Sequence, residues 1–499
     1  MILRPDDPHQ MYFVSRSELV ADEPLVSMVE YAVDGLDLEV LYDRYSESGR
    51  SFYDPSMLLK IWFFSYSDGV RSSREVAKRI KYDVRYQYFS GSLRPDFRTI
   101  NRFRSENLDL LGDYFAQIVT VCEASGLVDV SVLAVDGTKI RASSSSHRTV
   151  SKKKRDELSK QFHAVLEHDS ALEGEGSCDI SAEEGNATDA SFDEPITECT
   201  EEAISTVKIT DPDARFMKTS EGSLRPGYNT QIAVDKNQVI VAADVSTIAD
   251  DSVQFEGMID QSRDNVRGSL GEVLVDGGYY SGRNLKHAAS AGYDLYMPIP
   301  EQSRSSDKHF EREAFVYDEA RDCYRCPAGK ELSYAASRIR NNGVTRRVYR
   351  GSSSICGQCQ LRSRCTKKRY RELNISEVYD LEREMQSKMS TPSGRATYGQ
   401  RKHLVEAVFG NLKFNLGFTH FKLRSLPKVR GEFLLMCIAH NLKKLARYNR
   451  SLHPGTIVAL KAVQKVLLRL LRLCQRLHKT LPLDFRHVHT NWQLTGEMC

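Results

Sequence analysis

The 499-residue chain lacks any run of 18 apolar residues, so we expect no membrane-spanning helix. Its first segment, MILRPDDPHQ, lacks the charged and then apolar pattern of a secretory signal, so we expect no export. The composition is 40% hydrophobic and 27% charged, which is typical of a globular protein, and the length allows two to four domains. Together these features predict a soluble protein of the cytoplasm.

Positive charge is missing from one long segment. Between Glu167 and Glu202 there are thirteen acidic residues and no Lys or Arg. The segment also has low hydrophobicity, so residues from about 142 to 207 predict a disordered or loosely helical acidic insertion. It has the charge to mimic DNA, but a solvated linker is the simpler interpretation.

Negative charge is scarce at the other end of the chain. From Thr391 to Cys499 there are nineteen Lys and Arg against four Asp and Glu. This basic C-terminal fifth predicts a polyanionic partner, most simply nucleic acid. Its last segment, TIVALKAVQKVLLRLLRLCQRL, predicts a basic amphipathic helix, for which packing against its own chain or DNA is favoured over a membrane surface.

Two aspartates each follow a short apolar run and precede glycine. In VSVLAVDGTKI, we expect Asp136 to end a buried strand and Gly137 to turn the chain at once. In GEVLVDGGYY, Asp276 stands in the same place. Either motif alone is equally well explained as an ordinary strand-to-turn junction. As a pair, they predict two carboxylates brought together around a hard divalent cation such as Mg²⁺.

A third carboxylate is needed for such a site, and a later helix supplies a candidate. The segment YGQRKHLVEAVFGNLKFNLG predicts a helix whose apolar side chains share one face. That face is formed by Leu404, Val405, Val408, Phe409 and Leu412. Glu406 lies beside it, and a carboxylate next to apolar packing is costly unless it is paired or bound to metal. Glu406 is therefore the predicted third ligand.

The order of elements between these acids is informative. After the Asp136 strand we expect a hairpin, with strands at residues 231–234 and 239–245, then an amphipathic helix and the Asp276 strand. Three carboxylates in this order can hold two magnesium ions at a phosphodiester. The predicted fold class is therefore α/β, with an RNase H-like catalytic core in which helices flank a mixed sheet.

Residues 1–125 predict a mostly helical N-terminal domain. Ser72 or Ser73 is the predicted N-cap of one helix, and Asp96 or Thr99 that of the next. The second of these helices carries Arg98, Arg102 and Arg104, and short Arg-rich helices joined by turns are typical of helix-turn-helix-like DNA-binding units. A packing domain with solvated arginines explains the same pattern equally well.

Five of the eleven cysteines lie between Cys323 and Cys365, in a polar segment from 301 to 395. Two C-x-x-C pairs about thirty residues apart predict a zinc site, against the alternative of unconnected surface thiols. Five cysteines compete for four places. Because the segment is so polar, we expect bound zinc to supply much of its folding free energy.

The combined motifs resemble those of bacterial insertion-sequence transposases of the Asp-Asp-Glu (DDE) class, from about Ser56 to Leu445. The matching segments are PSMLLKIWFFSYSDGVRSSREV, PDFRTINRFR, VDGTKIRA, GYNTQIAVD, VDGGYYSG, CPAGKEL, CGQCQLRSRC and VEAVFGNLK. The resemblance implies that Asp136, Asp276 and Glu406 bind two Mg²⁺ ions, with Mn²⁺ as a substitute. It also implies that structural Zn²⁺ is held by Cys326, Cys356, Cys359 and Cys365, which leaves Cys323 spare.

The resemblance further implies that a tyrosine, an arginine and a lysine near the glutamate hold the transposon end. Tyr398, Arg401 and Lys413 fill that pattern, but Arg401 stands one position early and Lys402 occupies the usual place, so both remain candidates. The implied partners are transposon ends and target DNA, with a homodimer in the DNA complex. The implied location is the nucleoid of a bacterial cytoplasm.

The sequence therefore predicts an enzyme that cuts and joins DNA at insertion-sequence ends. The predicted domains are a helical DNA-binding domain (1–125), a catalytic core in two parts (126–300 and 396–446), the cysteine-rich insertion (301–395) and a basic tail (447–499). The alternatives are a domesticated, catalytically idle transposase that regulates through DNA binding, and a nuclease of the same fold that cuts without joining.

Overall fold

The computed structural model describes residues 14–45, 52–144, 149–151, 206–208, 211–218, 223–300, 310–339 and 344–450. Most of the predicted acidic insertion and the basic tail beyond 450 lie outside these residues. By its internal contacts the chain divides into two units, one of residues 1–127 with 438–499 and one of residues 128–437. The described fold is mixed α/β, as the sequence predicts.

The first unit is helical wherever it is described, which confirms the prediction of helix for this region. Its helices are α1 (Arg16–Leu19), α2 (Pro24–Gly35), α3 (Glu39–Asp43), α4 (Pro55–Ser67), α5 (Ser73–Tyr82), α6 (Val84–Ser90), α7 (Phe97–Glu106) and α8 (Leu111–Ala124). Helix α4 is apolar on nearly every side and is buried among the others. It ends before Gly69, which adopts a left-handed φ of 78°.

The cap of α7 and the role of one of its arginines are settled by contacts. Asp96 is the cap, because its carboxylate accepts a hydrogen bond from the Thr99 amide at 2.7 Å. Arg104 is 7% exposed and its guanidinium lies 4.5 Å from the centre of the Trp62 ring. Arg104 is therefore a buried packing residue and not one of the solvated arginines of the alternative interpretation.

The second unit contains a six-stranded sheet. Its strands are β1 (Val132–Arg141), β4 (Arg215–Lys218), β5 (Leu224–Asp235), β6 (Ile240–Ser246), β7 (Glu272–Val275) and β8 (Asp294–Tyr296). Strand β1 lies at the centre, antiparallel to β5 on one side and parallel to β7 on the other. Strand β6 pairs antiparallel with β5, and β8 pairs parallel with β7. A separate short pair joins β2 (Thr149–Ser151) and β3 (Thr206–Lys208).

The prediction that Asp136 ends its strand is wrong. Strand β1 continues through Asp136 and Gly137 to Arg141, because β5 remains its partner along this whole length. The pairing between β1 and β7 does end near Asp136, because its last pair is Val135 with Val275. Asp136 is therefore the first residue at which β1 has lost its parallel neighbour.

The elements between the two aspartates agree with the sequence. Strands β5 and β6 form the predicted hairpin, followed by helix α9 (Phe255–Asn265), then β7 and helix α10 (Gly282–Ala291). Helix α9 packs against β5 and β6. The loop between β6 and α9 lies beside β1, where Lys139 donates to Asp251.

The cysteine-rich segment contains regular structure that the sequence analysis missed. It forms a five-stranded antiparallel sheet of β9 (Val316–Asp318), β10 (Cys323–Arg325), β11 (Glu331–Ile339), β12 (Thr345–Gly351) and β13 (Glu372–Ser376). Short helices α11 (Ser353–Gly357) and α12 (Arg362–Cys365) follow β12. The sheet has its own buried cluster of Phe315, Tyr324, Leu332, Tyr349 and Leu373. The segment is therefore less dependent on metal for a core than its polarity predicts.

The remaining helices carry the other predicted site residues. They are α13 (Tyr379–Ser390), α14 (Pro392–Gly410) and α15 (Leu426–Arg450), with a π-helical turn at Asn411–Asn415 directly after α14. All five apolar side chains predicted to share one face near Glu406 are buried. Helix α14 packs against β1, β5 and β7. Within the described part of the chain, no helix is long and apolar enough to cross a bilayer.

Candidate active site

The two predicted aspartates lie side by side. Val135 pairs with Val275 in parallel register, so Asp136 and Asp276 are the residues that directly follow the last pair of these two neighbouring strands. Each carboxylate accepts a hydrogen bond from a nearby backbone amide. Asp136 accepts from Gly137 at 2.9 Å and Asp276 accepts from Gly278 at 2.8 Å.

A guanidinium group bridges these two carboxylates. Arg401 of α14 donates to Asp136 Oδ2 at 3.1 Å and lies 3.7 Å from Asp276 Oδ2. Burial alone lowers the pKa of Arg401, but the charge of Asp136, a hydrogen bond with Tyr398 and the charge of Asp276 raise it overall. The arginine therefore stays charged where the two acids would otherwise repel each other.

The pKa of Asp136 is raised by its surroundings. Burial raises its pKa from its ordinary value to about 6, although the attraction of Arg401 and the Gly137 amide oppose that rise. The neighbouring charges of Asp276 and Asp251 raise the pKa of Asp136 further. A carboxyl group that is costly to ionise alone gains most from a cation held close to it.

Lys413 approaches the same strand from the π-helical turn. Its ammonium group donates to Thr138 Oγ1 at 2.8 Å, two residues beyond Asp136. Burial lowers the pKa of Lys413, and the charge of Asp136 opposes this effect. The neighbouring Phe414 is 84% exposed, so the turn directs the lysine inward and the aromatic ring outward.

The other residues predicted on α14 are arranged differently. Tyr398 is half-buried beside Arg401, whereas Lys402 and Glu406 are exposed. Glu406 follows Arg401 by five residues, which places it about 140° around the helix. In this structure the arginine, and not the glutamate, is the α14 side chain at the two aspartates.

A further group of polar side chains at the site was missed by the sequence analysis. The carboxylate of Asp251, in the loop between β6 and α9, accepts hydrogen bonds from Lys139, Asn229 and Gln231. The hydroxyl group of the buried Tyr279 donates to Gln231 Oε1. The sequence gives only a weak indication of this group. Asp251 lies in an acidic loop before a helix, and its partners lie on strands, one of which is distant in sequence.

Four cysteine side chains line one pocket in the cysteine-rich sheet, and they are the four that the resemblance implies: Cys326, Cys356, Cys359 and Cys365. Burial raises the pKa of the Cys365 thiol; Arg371 opposes this, and the other three cysteines raise it further. Cys323 is 1% exposed within β10 and is absent from the pocket lining.

Neither predicted ligand set is drawn tightly together in the described part of the chain. There, the group whose ligand atoms all lie within 4.8 Å of one another is Glu256, Asp260 and His287, on α9 and α10. Within this group, the carboxylate of Glu256 already accepts a hydrogen bond from Arg283. Its members lie on either side of Asp276 in sequence, and the group had not been predicted.

Two family models match the chain. One, described as a transposase DDE domain, matches residues 325–446, and the other, described as a transposase domain of the DUF772 family, matches residues 14–106. Together, the two matches indicate an insertion-sequence DDE transposase. The first match contains Arg401, Glu406 and Lys413, whereas both aspartates lie between the two matched segments.

Solved structures and curated proteins add little to this transposase assignment. One similar solved structure is a cryo-EM structure of the piggyBac transposase synaptic complex with hairpin DNA, at 10% sequence identity. The match covers 94% of this chain and 82% of that chain, with a TM-score of 0.32. That score is too low for the likeness to carry an argument here. No curated protein matches the chain.

Proposed function

We propose that this transposase cuts and joins DNA at insertion-sequence ends by a two-metal-ion mechanism on an RNase H-like core. The observation that carries the proposal is the pair of aspartates. They directly follow the last pair of two neighbouring parallel strands, and the cationic side chain of Arg401 lies between them. The strand order β6-β5-β1-β7-β8 supports an RNase H-like core. In this order, β1 has one antiparallel neighbour, β5, and one parallel neighbour, β7.

The donor atoms at the two aspartates fit a hard divalent cation. Both side chains offer carboxylate oxygens, which are the ligands that Mg²⁺ prefers, and the same oxygens already hold a positive group. When bound, two Mg²⁺ or Mn²⁺ ions would activate the attacking oxygen and stabilise the leaving oxygen of the phosphodiester. Asp136 and Asp276 would hold them, with Glu406 as the third carboxylate.

The case for Glu406 comes from sequence and not from a contact. It lies in the VEAVFGNLK segment, inside the residues matched by the transposase DDE model. Because Arg401 occupies the space at the aspartates, Glu406 can join them only after α14 or its side chains rearrange. We propose that binding of DNA and metal brings about that rearrangement.

The basic residues around the acids would hold the DNA end. Lys413 lies within reach of the Asp136 strand, and the exposed Lys402 is available to a phosphate. Tyr398 would orient Arg401. In the proposed reaction, water attacks the phosphodiester at the element end, and the freed 3′-hydroxyl group then attacks target DNA without a covalent enzyme intermediate.

We also propose a structural zinc ion in the cysteine-rich sheet. Cys326, Cys356, Cys359 and Cys365 share one pocket, and four thiolates leave no open position for catalysis. The zinc would tie the turn after β10 to helices α11 and α12. A homodimer in the DNA complex and association with the nucleoid remain parts of this proposal that rest on the family resemblance alone.

The test is an assay of cutting and joining with the DNA that flanks the gene. Labelled duplexes that carry these flanking sequences are incubated with the protein and Mg²⁺, and the ends and joined products are resolved on sequencing gels. We expect 3′-hydroxyl ends followed by joined products. Cutting without joining would support the nuclease alternative, and binding without cutting would support the regulator.

A further inference from the structure

Asp251 is the most fully hydrogen-bonded carboxylate near the two catalytic aspartates. Lys139 Nζ donates to its two oxygens at 3.0 and 2.8 Å. Asn229 Nδ2 and Gln231 Nε2 donate to its Oδ1 at 2.8 and 2.7 Å. A loop carboxylate that receives one ammonium group and two amides from two different strands is held in one place.

Two of the three partners of Asp251 lead to the catalytic aspartates. Lys139 lies on β1, three residues after Asp136. Gln231 accepts a hydrogen bond from the buried Tyr279, three residues after Asp276. Asp251 is therefore the point at which the β1 strand and the turn after β7 are tied together by side chains.

Two glycines allow this close approach. A Cβ atom on Gly137 would collide with the side-chain amide of Gln231 and come within 3.0 Å of Asp251 Oδ1. A Cβ atom on Gly278 would lie 3.0 Å from Asp276 Oδ1 and 3.7 Å from Asp251 Oδ2. Gly137 thus makes room for the Asp251 network, whereas at Gly278 the tight contact would be with Asp276 itself.

We infer that Asp251 is a positioning residue, which sets the separation and orientation of Asp136 and Asp276 through Lys139, Gln231 and Tyr279. This inference rests on the proposed function. Residues behind the direct ligands of a metal fix their geometry, and their loss costs about 10- to 100-fold in metal affinity or activity. The described side-chain contacts of Asp251 are to Lys139, Asn229 and Gln231, which places it behind the two aspartates in this network.

The test compares Asp251→Asn with Asp250→Asn. Asp250 is the neighbouring residue, is exposed, and accepts a hydrogen bond only from the Ser252 amide in the described contacts, so its variant removes the same charge from the same loop. The full-length proteins are titrated with Mn²⁺ alone and followed by electron paramagnetic resonance. Cleavage of flanking-sequence DNA is measured in parallel, with kcat and KM determined separately.

We expect Asp251→Asn to bind the wild-type number of Mn²⁺ ions at least several-fold more weakly, and to lose about 10- to 100-fold in kcat with KM unchanged. Asp250→Asn should match the wild type in the number of bound Mn²⁺ ions, in Mn²⁺ affinity, in kcat and in KM. If Asp251→Asn folds poorly, Lys139→Met removes the other half of the ion pair. The double variant should lose little beyond Asp251→Asn, because Lys139 acts through its contact with Asp251.

Two outcomes would overturn the inference. Wild-type Mn²⁺ affinity and kcat in Asp251→Asn would make Asp251 an ordinary loop residue, and loss of one bound ion would make it a direct metal ligand. If the wild-type protein itself neither binds Mn²⁺ nor cuts DNA, the proposed function fails before Asp251 is tested.

Discussion

At the scale of single residues, the arginine between the two aspartates is the main departure from the sequence analysis. The spacing left Arg401 and Lys402 as equal candidates for a DNA phosphate contact. The structure distinguishes the two side chains, because Arg401 contacts the carboxylates of both Asp136 and Asp276 whereas Lys402 is exposed. Arg401 is therefore a counter-ion of the two acids, and under the proposed function it would yield its place to metal.

This role predicts an unusual effect of removing a positive charge. Arg401→Gln should tighten Mn²⁺ binding in the absence of DNA by about tenfold or more, because a competing charge within 4 Å of both acids is lost. It should also lower the melting temperature in EDTA, where the acids are left unpaired, and Mn²⁺ should restore it. Calorimetric titration and thermal melting measure the two effects.

Lys402→Gln is the matched control for Arg401→Gln. It removes the same charge one residue further along α14, where the side chain is exposed. Its Mn²⁺ affinity should equal that of the wild type. Equal affinities for the two variants would mean that Arg401 does not compete with metal, and weaker binding by Arg401→Gln would mean that it supports the metal site.

The sequence revealed Asp136 and Asp276 because each follows a short apolar strand and precedes glycine, which is a local pattern. It did not reveal Asp251, because a carboxylate in a loop becomes significant only when β1 and β5 bring Lys139 and Gln231 to it. Nor did it reveal the position of Arg401. Helical spacing shows which side chains share a face, but the rotation of α14 against the sheet is set by tertiary packing.

At the scale of elements, the π-helical turn after α14 determines where Lys413 points. A π turn adds a residue to the helical turn and is frequent at functional sites. Here it carries Lys413 to Thr138 on the Asp136 strand and leaves Phe414 in solvent. The sequence predicted a helix across this segment, but no local pattern distinguished α from π.

A lysine in this position predicts a phosphate contact. Lys413→Gln should weaken binding to element ends and reduce the slope of log K against log salt by about one unit, as expected for loss of one phosphate contact. Thr138→Val removes the hydrogen-bond partner but no charge, so its slope should remain that of the wild type. A slope unchanged in Lys413→Gln would place this lysine away from the DNA backbone.

The cysteine-rich sheet shows why the composition of residues 301–395 did not predict a folded sheet there. Its apolar residues are few, but Tyr324, Leu332 and Tyr349 come from three adjacent strands and meet in one small core. Strands of three to nine residues that carry many exposed polar side chains give almost no periodic signal. The zinc ion is therefore expected to add to an existing core and not to replace one.

This sheet gives a direct prediction about zinc. Cys356→Ser should lose about one zinc ion per chain and make residues 310–378 more sensitive to protease, because one of four thiolates is missing. Cys323→Ala is the control, since Cys323 is buried in β10 and is absent from the pocket lining. Metal analysis and limited proteolysis measure both. Wild-type protein purified without chelators that contains no zinc and still resists protease would rule out the site.

At the scale of the whole molecule, the distribution of charge is more informative than the net charge of +3. Residues 451–499 contain seven Lys and Arg against two acidic residues, and the segment 167–202 contains thirteen acidic residues and no basic ones. Both segments lie outside the described residues, and their charge is known from the sequence alone. A polyanion should be attracted by the first and repelled by the second.

Truncation after residue 450 should therefore reduce the salt dependence of binding to non-specific duplex DNA, because fewer phosphates are neutralised. Replacing 167–202 by a neutral linker of equal length should not reduce that dependence. Fluorescence anisotropy at several salt concentrations measures both. An unchanged salt slope in the truncated protein would show that the basic tail is not used for DNA binding.

The account depends most on the identity of the three catalytic acids, and one cleavage assay tests it directly. Asp136→Asn, Asp276→Asn and Glu406→Gln are compared with the wild type on DNA carrying the gene's flanking sequences, with Mg²⁺ and with DNA binding measured alongside. Each amide keeps the shape of the side chain but removes the negative charge that a metal ion requires. We expect all three variants to bind DNA and none to cut it. Near wild-type cutting by Asp136→Asn or Asp276→Asn would contradict the proposed mechanism, and near wild-type cutting by Glu406→Gln alone would remove the third ligand from it.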